Sequence, residues 1–193
     1  SAGSSAWGAC VSTDDRRLHG LDLARYLALA GMVLVNFRLA MAVEADGGGL
    51  LAGFFHLLEG KASATFVTLA GVGLVLATQR QAWWQASMQT WRRAVFLAVL
   101  GLLNLTVFPA DILHYYAVYF AVAVLWLRAS PRVLLGSMVA LAMVAFWALL
   151  RWDYSQGWNW QTLAYEGLWQ WPGAMRNLLF NGFHPVLPWL CFF

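Results

Sequence analysis

Asp111 and His114 stand three residues apart in the run D-I-L-H-Y-Y, with Tyr115 and Tyr119 close behind. On a helix that spacing puts carboxylate and imidazole on one face. A carboxylate that orients an imidazole makes it a better general base. The alternative is that Asp111 caps the helix start and His114 sits at an interface. A second imidazole, His56, opens H-L-L-E-G-K, where His56, Glu59 and Ser63 share a face if the helix is continuous, with Lys61 beside them. A third, His184, lies in N-G-F-H-P-V-L-P-W-L, where Pro185 and Pro188 interrupt regular helix. Backbone freed in this way is tolerated at membrane depth when it is buried or lines a cavity. That makes His184 a candidate pocket edge, the alternative being a helix start with a proline-fixed turn. Near the beginning, Asp22, Arg25 and Asn36 fall on one stripe of a helix and Arg38 points nearly the other way. Asp22 and Arg25 read either as an ion pair anchoring their helix or as a contact for a phosphate-bearing ligand, which Arg suits.

The elements that must hold these groups are set by composition. Hydrophobic residues make up 61% of the 193-residue chain and charged residues 11%, with 12 Trp. A soluble domain carries about 25% charged residues, so the class expected is an integral membrane protein. The net charge of +3 is small and the arginines lie between apolar runs. They read as topology signals rather than as a nucleic-acid footprint. Cys10 falls in a polar tail and Cys191 in an apolar segment, so no disulfide is expected, and no metal-ligand spacing is present.

A polar tail, residues 1–20, precedes a transmembrane domain, residues 21–193. About 20 apolar residues cross a hydrocarbon core of about 30 Å. The spans expected are Leu21 to Val43, Gly60 to Thr78, Ala94 to Phe108, Asp111 to Leu127 and Val133 to Leu150, with a sixth starting near His184. This is an all-α polytopic bundle of about five complete spans. The basic, Trp-rich stretch R-Q-A-W-W-Q-A-S-M-Q-T-W-R-R from Arg80 to Arg93 reads as a connector in the headgroup zone. Residues Arg151 to Gly182, with five tryptophans among Asn, Gln, Gly and Tyr, read as a long loop or amphipathic helix at the interface. Because a polypeptide rarely stops mid-span, the chain is expected to be the first half of a longer protein.

On that count of spans, one side of the membrane holds Arg16, Arg17, Arg80, Arg92, Arg93, Arg128 and Arg132. The other holds Lys61, Arg151 and Arg176 with six acidic residues. The positive-inside rule then puts the N-terminus in the cytoplasm. Asn36, Arg38, His56, Glu59, Lys61, Asp111, His114 and His184 would share a layer toward the non-cytoplasmic side. Polar and ionisable groups inside a membrane are costly, and such a layer is what an embedded site needs.

The run L-D-x-A-R-Y-L-A-L-A-G-M-V-L-V-N, from Leu21 to Asn36, resembles the first core helix of the heparan-alpha-glucosaminide N-acetyltransferase-like transmembrane proteins, a family with many bacterial members. The stretches around His56, Asp111 and His184 extend the match. The resemblance implies an acyltransferase that moves an acyl group to a sugar or similar acceptor at the non-cytoplasmic side. It implies acyl-CoA, with acetyl-CoA as one case, as co-substrate rather than tightly bound cofactor, and Asp22 with Arg25 as its cytoplasmic contact. The catalytic set would be His56, Asp111 and His114, with Asn36, Arg38, Glu59, Lys61 and His184 binding substrate. Relatives keep a catalytic His shortly before the Gly that opens the second span. Here His56 to Gly60 is one residue shorter, and the family's following Asp falls on Thr65. The partners implied are the lipid bilayer and a small-molecule or glycan acceptor, with no nucleic acid and with oligomers left open. The location implied is a multi-pass protein of the bacterial inner membrane. The rival class is a transporter or channel in which the same polar layer passes a solute, and a fragment without activity of its own is a third reading.

Overall fold

The computed structural model describes residues 19–40, 61–108 and 111–193. His56 and Glu59 lie outside the described residues, as do the side chains of Asn36 and Arg38, whose backbone belongs to the first helix. The described chain runs α1 (His19–Ala40), α2 (Lys61–Thr78), α3 (Trp83–Leu105) and α4 (Leu113–Ala123), which a 3₁₀ turn (Val124–Trp126) prolongs. Then come α5 (Pro131–Arg151), the strands β1 (Trp158–Asn159) and β2 (Ala164–Tyr165), the helix α6 (Trp171–Arg176), a π-helical turn (Asn177–Asn181) and α7 (Val186–Trp189).

α1 packs against α2. Gly73 leaves room for the Arg25 guanidinium, whose Nη2 lies where a β-carbon would be. Small residues permit this close approach between apolar helices. α3 and α4 form the most intimate pair, crossing where Gly101 of α3 meets the backbone of His114. α4 is the hub. Its Tyr115, Tyr116, Tyr119 and Phe120 are buried together with Val67 and Leu74 of α2, Ala94 of α3 and Val186 of α7. α5 starts cleanly, with Ser130 accepting from the Val133 amide and Pro131 in the first turn. It buries only Ala145 and Ala148 and leaves Leu134, Leu135, Met143, Phe146 and Leu150 exposed.

The structure is mostly helical, and among the described residues two helices, α2 and α5, are long and apolar enough to cross a membrane; the expected five complete spans are not confirmed. Four other features differ from the sequence expectation. α4 has 11 residues. At about 1.5 Å each this is roughly 16 Å, half a hydrocarbon core. Just after its 3₁₀ turn, Arg128 donates to the carbonyls of Thr78 (3.1 Å), the last residue of α2, and of Gln81 in the turn that follows it. The Trp-rich stretch is no connector. From Trp83 to Leu100 it contains neither Gly nor Pro, and it forms the first half of α3, with Arg92 and Arg93 in mid-helix. Residues 151–182 are neither a plain loop nor an amphipathic helix but a small antiparallel hairpin followed by α6 and the π turn. The residues after His184 form only the four-residue α7.

Candidate functional site

α3 and α4 are joined by a tight reversal in which the Phe108 amide donates to the Asn104 carbonyl at 2.8 Å and the Asp111 amide to the Phe108 carbonyl at 3.1 Å. The turn delivers Asp111, 2% exposed, to the mouth of α4. Its Oδ2 accepts the backbone N–H of His114 at 3.0 Å and lies 2.8 Å from His114 Nδ1, while Oδ1 accepts from Asn104 Nδ2 at 2.7 Å. The two readings of this pair were alternatives in the sequence. In the structure one carboxylate does both jobs, capping the helix and holding the imidazole.

Burial by itself would raise the Asp111 carboxyl, which stands ahead of the first residue of α4. The hydrogen bonds from His114 and Asn104 outweigh burial and hold the group below the ordinary aspartate range. An ionised carboxylate only accepts, so the hydrogen bond calls for N–H at His114 Nδ1, and in the neutral form of the ring the lone pair is then on Nε2. That is the tautomer a general base requires. The His114 side chain is 12% exposed and lines an apolar groove of about 320 Å³ between α3 and α4, floored by Ala94, Ala98, Ala117 and Ala121.

The C-terminal part of the chain closes over the other face of α4. Tyr115 donates to Asn177 Oδ1 at 2.5 Å and accepts the Phe183 amide at 3.2 Å, and Tyr119 donates to the His184 carbonyl at 2.6 Å. Gly182 makes this approach feasible, since a β-carbon there would overlap the Tyr115 hydroxyl. Asn181 locks the hairpin down. Its Nδ2 donates to the carbonyls of Tyr154 (2.9 Å) and Gln156 (2.8 Å), and its Oδ1 accepts from Tyr165, whose hydroxyl in turn accepts from Arg176 Nε at 2.7 Å. Asn177 and His184 are buried, yet the Asn177 Nδ2 and both ring nitrogens of His184 have no hydrogen-bond partner among the described residues.

Of the residues singled out in the sequence, Asp111, His114 and His184 therefore gather around α4. Lys61 is the exposed first residue of α2 and joins no contact of this site. Asp22 and Arg25 form an ion pair at 3.7 Å, 61% and 40% exposed respectively. The Arg25 guanidinium is also seated against Gly73 of α2. Sequence reasoning missed Asn104, Gly101, Asn177 and Gly182. The available signal was an uncharged polar residue inside an apolar run, L-L-N-L for Asn104 and N-L-L-F-N for Asn177 and Asn181.

Comparison with known proteins returns one family. The model described as heparan-alpha-glucosaminide N-acetyltransferase, catalytic, matches residues 17–193. No curated protein and no solved structure matches the chain.

Proposed function

The chain belongs to the heparan-alpha-glucosaminide N-acetyltransferase catalytic family, and from that premise we propose that it is a membrane-embedded acyltransferase with His114 as its general base. The observation that carries this reading is the buried Asp111–His114 pair, with the His114 residue at the edge of an apolar groove. The acyl donor is a thioester of the acyl-CoA class, and the acceptor is a hydroxyl or amine of a sugar or similar molecule at the non-cytoplasmic side. As the acceptor oxygen or nitrogen attacks the thioester carbonyl, its proton passes to His114 Nε2. The C–S bond then breaks, and the departing thiolate takes that proton back. Asp111 stabilises the imidazolium formed in between, a contribution that general-base catalysis puts at about 10²–10⁴-fold in rate. Asn104 keeps the carboxylate turned toward His114. His56 keeps the role that the family resemblance gives it, an alternative base or an acyl-accepting imidazole.

Acyl-donor consumption by detergent-solubilised protein, at matched expression, tests this. His114→Ala should lower turnover by about 10²–10⁴-fold. Full activity in His114→Ala, with activity lost in His56→Ala, would move the chemistry to the segment before α2. Solute uptake by reconstituted protein without donor turnover would instead support a transporter.

A further inference from the structure

The groove beside His114 is larger and more regular than a base alone requires. On α4 its wall is His114, Ala117, Val118 and Ala121, spaced i, i+3, i+4 and i+7, which puts them on one face of the helix. On α3 the same spacing recurs in Trp91, Ala94, Val95 and Ala98. A tight reversal joins the two helices, Gly101 rests on the His114 backbone, and α3 runs back along α4. His114 therefore stands at one end of the groove and Trp91 at the other.

Length, volume and polarity select the occupant. From His114 to Ala121 the groove follows two turns of α4, about 10 Å of rise. An extended hydrocarbon advances about 1.25 Å per carbon, given zigzag bonds of about 1.5 Å, so about eight carbons span it. The volume of about 320 Å³ agrees. It holds on the order of ten groups the size of a water, at about 30 Å³ each. Apart from His114 the lining is hydrocarbon and the Trp91 indole, so a phosphate or a sugar would lose its hydration there without compensation. A helix from a second copy needs about 10 Å of width, roughly 800 Å³ over the same length, more than the groove offers. The methyl of an acetyl group would leave most of it unfilled.

We propose that the α3–α4 groove sets the length of the transferred acyl group, a medium chain of about eight carbons rather than acetyl, with its carbonyl at His114 and its methyl end stopped by Trp91. This rests on the acyltransferase reading for the identity of the donor and goes beyond it in fixing the chain.

The test uses protein in nanodiscs, where no detergent tail competes for the groove, with glucosamine as acceptor and release of the CoA thiol as readout. One methylene in an apolar pocket is worth about 10–200-fold in kcat/KM. Octanoyl-CoA should therefore exceed acetyl-CoA by about tenfold or more. Ala98→Leu plugs the groove midway and should lower the octanoyl-to-acetyl ratio by about tenfold or more. Trp91→Ala removes the stop and should raise the dodecanoyl-to-octanoyl ratio by a similar factor. A misfolded protein would not shift preference in opposite directions in the two variants. Independently of turnover, decanoic acid with a terminal diazirine should label α3 around Trp91 on irradiation, and Ala98→Leu should abolish that label. Acetyl-CoA as the best donor, with both ratios unmoved, overturns the proposal and leaves the acyltransferase reading standing. Label spread over the exposed face of α5 also overturns it, since bulk lipid then fills the groove. Label confined to the groove, with no acyl-CoA turned over, keeps the chain-binding site and overturns the acyltransferase reading.

Discussion

At the scale of single residues, the proposed chemistry depends on a carboxylate with two oxygens and three donors. Oδ2 of Asp111 is shared between the His114 amide and ring, and Oδ1 is steadied by Asn104. In Asp111→Asn the amide NH₂, if turned toward the ring, would stabilise the wrong tautomer and occupy Nδ1 as an acceptor. Turnover should then fall by about 10²–10⁴-fold with acceptor affinity nearly intact, which steady-state kinetics in detergent would reveal. A fall confined to KM would assign Asp111 to binding. Asn104→Leu removes one charge-assisted bond and should cost about 1.5–3 kcal/mol of stability, readable as a lowered melting temperature. This pair was legible beforehand because i and i+3 is a local relation, fixed by helix geometry alone. Asn177 was not legible, since its partner Tyr115 lies 62 residues away and no periodicity encodes that meeting.

At the scale of elements, the α3–α4 crossing sets the position of the site, and Gly101 is its contact point. A β-carbon at Gly101 would press on the His114 backbone nitrogen and lie 2.8 Å from its Cα. Backbone cannot swing aside as a side chain does, so Gly101→Ala should push the head of α4 away. A cost of about 1–3 kcal/mol is usual for overpacking, and transfer activity should fall with it. Gly136 of α5 supplies the control, because nothing lies within 4 Å of its would-be β-carbon. There Ala should be neutral or stabilising by up to about 1 kcal/mol, from helix propensity alone. Melting temperatures that move equally in the two variants would remove the crossing from the account. The boundaries of α2 and α5 were readable as unbroken apolar runs between polar or proline signals. Those of α3 were not, since tryptophan and arginine pairs look like an interface on hydropathy but propagate a helix without difficulty.

At the scale of the whole molecule, the proposed sidedness is open to a direct chemical test. In a Cys191→Ser background, Cys10 should react with a membrane-impermeant thiol reagent only after the cells are opened. Labelling of intact cells would reverse the orientation and put the acceptor on the cytoplasmic face. The positive-inside argument behind this expectation loses Arg92 and Arg93, which lie within α3, and Arg128, which is engaged by the carbonyls of Thr78 and Gln81, so the experiment carries more weight than the count of charges. The tyrosines of α4 have a consequence of another kind, in time. Tyr115 and Tyr119 find their partners 62 and 65 residues further along the chain. A ribosome adding about 5–20 residues per second needs on the order of 3–13 s to cover that distance. For those seconds α4 exists with its hydroxyls unanswered, and it must be sheltered by water or by the insertion machinery. The Asp111–His114 pair is complete almost as soon as α4 forms, whereas the hydroxyls of Tyr115 and Tyr119 must await the arrival of Asn177 and His184. The nascent chain therefore carries its carboxylate–imidazole pair before the segment that closes over α4 has been made.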